Sequence, residues 1–148
     1  MAKGTFHIKL DVSALQKHIA NYKARALDAV DDAMREDHIQ VAKEFRATPY
    51  PPERPGQQYV RTGRLGRSWK HKRYRKTKSR VEWGVENKAA QRGRVYPSYV
   101  VGDEQGRQAW MHKGRWWVAL AKYTETVGRR KQMIHRALNR LWKQTGSS

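Results

Sequence analysis

The residue types that most often carry chemistry are few in this chain, and they do not cluster in sequence. No two of its six histidines stand at the His-x-His or His-x-x-x-His spacing of a metal site: His7, His18, His38, His71, His112 and His135. The chain has no cysteine, which excludes disulfides and thiolate ligands. No serine lies in the Gly-x-Ser-x-Gly setting of a nucleophile elbow. We therefore expect no metal, no cofactor and no enzymatic activity.

Glu82 and Glu86 are the one carboxylate pair whose spacing suggests shared chemistry. They lie in a segment that alternates like a strand, so both would face the same side of it. Such a pair could hold a divalent cation or serve a nuclease, but we favour salt bridges to the basic segment before it. The segment 61–66 lacks the glycine spacing and the lysine of a phosphate-binding loop. A nuclease-like enzyme is therefore the third of three functional hypotheses.

Positive charge dominates the composition and is concentrated in the second part of the chain. Lys and Arg number 32 against 13 Asp and Glu, which gives a net charge of +19. Residues 1–60 carry nine basic and eight acidic side chains, whereas residues 61–148 carry 23 and five. Because like charge at this density destabilises a compact state, it predicts a polyanionic partner. A surface selected only for solubility is the alternative.

The densest basic run extends from Arg61 to Arg80 and contains no acidic residue. Its cations are the predicted contacts for nucleic acid or for an acidic partner: Arg61, Arg64, Arg67, Lys70, Lys72, Arg73, Arg75, Lys76, Lys78 and Arg80. Trp69 and Tyr74 lie among them and could stack on bases. Because no recognised nucleic-acid motif is present, we expect phosphate contacts without base readout.

Two helices are predicted from apolar residues spaced three and four apart. The first covers 13–47 without Gly or Pro and would be roughly 50 Å long at about 1.5 Å per residue. A small sheet cannot cover a helix of that length, so part of it should meet another subunit, or the helix should bend. The second covers about 119–144, with a break near Gly128 and with its basic residues, Arg129 and Arg130 among them, on the exposed side.

The segment 67–117 is predicted as a small, mostly antiparallel, four-stranded sheet. Its strands are expected at 69–76, 80–86, 95–102 and 108–117, and residues 6–12 alternate like a further short strand. Packed by the two helices, this sheet makes a single α+β domain of 148 residues.

The segment 48–66 is predicted as a loop, because four of the five prolines lie between Pro49 and Pro55 and must end the helix. It is either a plain linker or an arm that becomes ordered on assembly. The arm's predicted contacts with an adjacent subunit are Pro49, Tyr50, Pro51, Pro52, Pro55 and Tyr59.

A sharp turn is predicted where this loop meets the sheet. Thr62 can hydrogen-bond locally and Gly63 can adopt positive φ, after which Leu65 would be buried under the long helix. A later glycine would permit a turn or bulge after the third strand. The predicted structural-turn residues are Thr62, Gly63, Leu65, Ser68 and Gly102.

Two short motifs, in order along nearly the whole chain, resemble the tail-completion proteins of long-tailed bacteriophages, also called head–tail joining or minor tail proteins. After a long helix and a proline-containing loop comes Thr-Gly-x-Leu-x-x-Ser at 62–68. Tyr-x-x-Tyr-Val-x-Gly follows at 96–102, before a terminal helix. The segments 99–105 and 112–116 also look like a variant common in phage-derived proteins. The family's usual Glu-Phe/Tyr-Gly-Thr ending is replaced here by Val-Gly-Asp at 101–103.

The resemblance implies a structural protein of the virion neck or tail, made in the host cytoplasm. It implies as partners further copies in a ring of six, portal or adaptor proteins, tail-tube or tail-terminator proteins, and duplex DNA in the lumen. The alternative function is sequence-independent nucleic-acid binding outside a virion. No membrane partner is expected, because no apolar run approaches the roughly 20 residues that span a bilayer.

Overall fold

The computed structural model of this protein describes residues 11–58 and 61–146. Tyr59 and most of the strand predicted for residues 6–12 lie outside these ranges. The helices are α1 (Ser13–Ala47), α2 (Arg64–Arg67), α3 (Pro97–Val101), α4 (Ala119–Glu125) and α5 (Val127–Gly146). The strands are β1 (Trp69–Lys76), β2 (Val81–Asn87), β3 (Ala90–Gln91) and β4 (Arg94–Val95). This mixture of a long N-terminal helix, an antiparallel hairpin and a C-terminal helix confirms the α+β prediction.

Helix α1 has the bounds that the sequence predicts. Its first turn is joined to Asp11, whose carboxylate accepts a hydrogen bond from the Ser13 N–H at 2.9 Å. At its end the Thr48 hydroxyl donates to the Glu44 carbonyl at 2.8 Å, and Pro49 cannot continue the helix. The apolar side of α1 packs along α5 and against both strands of the hairpin. None of the helices in the described ranges is long and apolar enough to cross a membrane.

The hairpin of β1 and β2 contains a bulge that changes which side chains face α1. Arg73 pairs with Trp83 and Arg75 pairs with Glu82, so Tyr74 is an extra residue on β1. Strict alternation would place Lys76 with Tyr74, away from Arg73. Because the bulge shifts the register by one residue, Lys76 instead faces α1 together with Arg73.

The prediction of a four-stranded sheet is wrong in its detail, because the described strands form two separate two-stranded sheets. The third predicted strand contains helix α3, whose first residue is Pro97, and proline suits that position because it lacks an N–H. The fourth, at 108–117, is a run of turns in which the N–H groups of Arg115 and Trp116 donate to the His112 carbonyl. Local hydrogen bonds therefore replace sheet pairing over most of both segments.

The core joins the C-terminal half of α1 to α2, the hairpin, α3 and the turns that follow α3. Its buried residues are Val41, Phe45, Leu65, Trp69, Val101 and Trp116. The rings of Phe45 and Trp69 meet edge to face with centroids 4.7 Å apart. The predicted second helix is divided at Thr126 into α4 and α5, two residues before Gly128.

Candidate nucleic-acid interface

The ten predicted contact residues do not form one continuous patch, and the structure separates them into three groups. The first group surrounds the turn before β1. Arg61 donates to the carbonyl groups of Pro51 and Pro52, Arg64 donates to Ala90, and Arg67 donates to Thr62 at 2.7 Å. These arginines hold backbone segments together. Because carbonyl groups are neutral, each of the three keeps a positive charge that no acid among the described residues matches.

The turn itself has the geometry that its residue types favour. Gly63 has φ of 68°, a conformation that costs a side-chain-bearing residue energy. The Arg64 N–H lies 3.4 Å from the Thr62 hydroxyl, and Leu65 is buried in the core. Ser68 follows α2 directly, at the point where the chain enters β1. The predicted turn residues therefore aim the basic strand along α1.

The second group consists of cations that acids of the same chain already match. Lys72 lies 3.3 Å from Glu86, Arg80 pairs with Glu82, and Arg73 and Lys76 both reach Asp31 on α1. Lys76 also lies 2.8 Å from Asp28. Arg73 and Lys76 anchor the hairpin on α1. The acidic partners of all four cations neutralise their charge, which reduces the basic surface left for a polyanion.

Asp31 is the acceptor that holds the hairpin on α1. It is 6% exposed and accepts hydrogen bonds from Arg73 at 2.9 Å, Lys76 at 2.8 Å and Trp83 Nε1 at 2.7 Å. Burial alone would raise the pKa of Asp31, but hydrogen bonds from Lys76, Trp83 and Arg73 outweigh it and lower that pKa below its ordinary value. Hydrogen bonds to Asp28 and then to Asp31 raise the pKa of Lys76 above its ordinary value. The hairpin is therefore attached by a charged network of fixed geometry.

The third group is Lys70, Arg75 and Lys78, which are exposed and have no acidic partner among the residues at 11–58 and 61–146. Arg75 and Lys78 lie close to the turn of the hairpin, where the Thr77 N–H donates to the Arg80 carbonyl at 2.8 Å. We call these three residues the free hairpin cations. They are the part of the predicted run that remains available to a phosphate backbone or to an acidic protein surface.

The proline-rich arm lies against its own chain. Beyond the Arg61 contacts, Arg54 donates to the Met111 carbonyl at 3.0 Å. The Gly66 N–H donates to the Tyr50 hydroxyl at 2.9 Å. Of the predicted interface residues, Pro49, Pro52 and Pro55 are exposed, whereas Tyr50 and Pro51 are half-buried. The described part of the arm thus contacts its own chain, and Pro49, Pro52 and Pro55 remain exposed for contact with another subunit.

Glu82 and Glu86 form salt bridges, as the sequence interpretation favoured. Glu82 pairs with Arg80, and Glu86 lies 3.3 Å from Lys72 and 3.6 Å from Lys88. Over the part of the chain that the structure describes, no three His, Asp or Glu residues converge as a metal site.

A second charged network, which sequence reasoning did not predict, joins α5 to α1. Asp37 is fully buried and accepts hydrogen bonds from Arg129 at 3.1 Å and Arg130 at 2.6 Å. The neighbouring His38 lies 2.7 Å from the Met34 carbonyl and 2.8 Å from the Tyr123 hydroxyl. Arg129 and Arg130 were expected on the exposed side of the helix. The signal available in the sequence was Asp37 and His38, the one polar interruption of the apolar side of α1.

Comparison with protein-family models, with curated proteins and with solved structures found no match to this chain. The resemblance carried by the segments 62–68 and 96–102 therefore stays a prediction.

Proposed function

We propose that this protein is a structural subunit at the head–tail junction or tail end of a tailed-bacteriophage virion. In this proposal copies of the chain form a ring, which joins the DNA-filled head to the tail. The free hairpin cations face duplex DNA in the lumen or an acidic surface of a neighbouring ring.

The observation that carries the proposal is a rigidly attached hairpin that bears unmatched positive charge. Asp31 and Asp28 hold one side of it against α1, while Lys70, Arg75 and Lys78 project without acidic partners among the described residues. A cation held on a fixed strand binds a polyanion at a lower entropic cost than one on a mobile tail. An assembly around DNA supplies the neutralising charge that the chain lacks.

The two segments that carry the family resemblance support the proposal, because they meet in the folded core. In the first segment Leu65 lies two residues after Gly63, and in the second Val101 lies directly before Gly102; both glycines have positive φ. Leu65 and Val101 both belong to the core cluster. Gly102 has φ of 88°, and a Cβ there would lie 3.2 Å from the backbone of Gly106. Each motif thus supplies a turn and a core residue to this fold, as expected for residues that define a family's architecture.

The direct test is genetic and structural. Deleting the gene from a phage that carries it should leave DNA-filled heads and unattached tails, and the wild-type gene supplied in trans should restore joined particles. Immunogold labelling of a tagged chain should mark the neck or tail end. Normal particles without the protein, or label outside the virion, would contradict the proposal.

A second candidate function, sequence-independent nucleic-acid binding outside a virion, is favoured by the exposed cations away from the hairpin. Lys131 and Arg136 are exposed on α5 and have no acidic partner among the described residues. If this candidate is correct, the purified chain should retard duplex DNA while gene deletion leaves particle assembly intact.

A further inference from the structure

A pocket of about 420 Å³ lies beside the turn that begins the basic run, and none of the free hairpin cations belongs to its lining. We call it the aromatic pocket. It is formed where the proline-rich arm, α2, α3 and the turns after α3 meet, and its principal lining residues are Tyr50, Arg61, Arg64, Tyr96, His112 and Trp116. Its size is in the range of small-molecule sites, roughly 300–1,000 Å³.

The walls of the aromatic pocket are flat rings, and its charge is wholly positive. The rings of Tyr50 and Trp116 lie with centroids 5.3 Å apart. The Arg61 guanidinium is 5.9 Å from the centre of the first and 5.5 Å from the centre of the second. No carboxylate belongs to its lining. A ligand for these walls therefore needs a planar body and a negative charge.

Unused hydrogen-bonding atoms are concentrated at this pocket. Of the five buried side-chain nitrogens that have no hydrogen-bond partner among the described residues, three belong to its lining: Arg61 Nε, His112 Nδ1 and Trp116 Nε1. Trp116 is 9% exposed. Because native proteins pair most of their buried polar groups, these nitrogens lack partners that the described residues do not supply. Arg61 Nε and Trp116 Nε1 can only donate, so the ligand must offer acceptors.

The imidazole ring of His112, which lines the aromatic pocket, is neutral at neutral pH. Burial, and then the nearby Arg115 and Arg54, lower the pKa of His112 below its ordinary value. At neutral pH the fixed positive charge of the pocket therefore comes from its arginines.

We propose that the aromatic pocket binds a nucleotide, with the base against the tyrosine and tryptophan rings and the phosphate at the arginines. A phosphate offers three acceptor oxygens and is the anion that arginine recognises best, whereas a carboxylate offers two. Every base presents a π-face to an aromatic wall, so recognition of this kind tolerates any sequence. The proposal does not rest on the head–tail role, because none of the free hairpin cations lines the pocket. The bound nucleotide is either a free mononucleotide or an exposed nucleotide of a single strand.

The test uses NMR of the indole N–H groups in the full chain, titrated with adenosine 5′-monophosphate. We expect the Trp116 signal, assigned with Trp116→Phe, to shift saturably. Adenosine alone and ribose 5-phosphate should each bind about tenfold or more weakly, because each lacks one of the two contacts. A thymidine oligonucleotide that binds more tightly than the mononucleotide indicates a strand as the source; equal affinity indicates a free nucleotide.

Two substitutions check that the response comes from the pocket. Tyr99→Ala removes a ring that lines the pocket but is 64% exposed, so the fold should tolerate it, and it should weaken binding severalfold. Lys23→Ala on α1 removes an exposed positive charge that does not line the pocket, and it should leave the affinity for adenosine 5′-monophosphate unchanged. The proposal is wrong if the Trp116 signal does not respond to millimolar nucleotide, or if Tyr99→Ala binds like the wild type. Binding of indole-3-acetate as tight as that of the nucleotide would overturn the choice of a nucleotide.

Discussion

Substitution of Asp37 by alanine tests how α5 is held on α1. The carboxylate is fully buried and receives hydrogen bonds from Arg129 and Arg130, so it neutralises two guanidinium groups at the helix interface. The Arg130 side chain is 12% exposed, so it cannot turn to solvent without opening the contact. Removing the acid therefore leaves an unmatched buried charge.

The expected cost follows from how much of the network survives. Breaking a buried pair from one side costs about 3–5 kcal/mol. Here Arg129 keeps its contact with Glu44, and Arg130 keeps one with the Thr126 hydroxyl at 2.8 Å. We therefore expect a loss of about 3 kcal/mol in the free energy of unfolding, a large share of the 5–15 kcal/mol that is typical of domains.

Urea unfolding followed by circular dichroism measures this loss. Asp32→Ala is the matched control on the same helix: its carboxylate is 68% exposed and lies 3.4 Å from Arg35, so its removal should change stability by less than about 1 kcal/mol. If the two variants are equally stable, the Asp37 network does not hold the helices together.

Further predictions concern the pH response and the turn. His38 Nδ1 donates to a carbonyl and burial lowers its pKa, so the unfolded chain takes up a proton below about pH 6.5 that the folded chain resists. The free energy of unfolding should therefore be constant above about pH 6.5 and fall by up to about 1.4 kcal/mol per pH unit below it. In urea titrations at pH 7.5 and 5.5, His38→Gln should reduce this pH dependence. An equal loss of stability in the variant and the wild type would contradict the role of His38. Gly63→Ala forces a side chain to φ 68° and should cost about 1–2 kcal/mol by the same assay. Gly128→Ala, whose Cβ would meet nothing within 4 Å, should leave stability unchanged or slightly raised; equal losses in the two variants would refute the role of the turn.

The elements that sequence reasoning located well are those with a strong local period. The apolar spacing of α1 and the lack of Gly or Pro within it predicted its bounds, and clean alternation predicted β2. The segments 95–102 and 108–117 were misassigned because both are rich in apolar and aromatic residues without strict alternation. Pro97, which suits the first turn of a helix as well as an edge strand, was the ambiguous signal.

The sequence predicted the position of the basic run in the candidate interface but not which of its cations are paired with acids. The basic run at 61–80 is plain from its composition, but the anchoring of Arg73 and Lys76 depends on acids more than 40 positions earlier. Asp31 reaches Arg73 and Lys76 only because α1 lies along the hairpin. The bulge at Tyr74 also turns Lys76 toward α1, and its one local signal is Gly84, where a Cβ would lie 2.8 Å from the Tyr74 ring.

The central claim is that Lys70, Arg75 and Lys78 meet a polyanion, and the salt dependence of duplex DNA binding tests it most directly. The affinity of the purified chain for a random-sequence duplex is measured by fluorescence anisotropy between 50 and 200 mM salt. Each lost phosphate contact should reduce the slope of log affinity against log salt by about 0.9, so replacing all three by alanine should reduce it by about 2.7. A matched triple variant at the exposed Lys17, Lys23 and Lys43 of α1 removes the same charge and should keep the wild-type slope. Equal slopes in the wild type and the hairpin variant, or no binding at the lowest salt, would contradict the claim that the hairpin faces DNA.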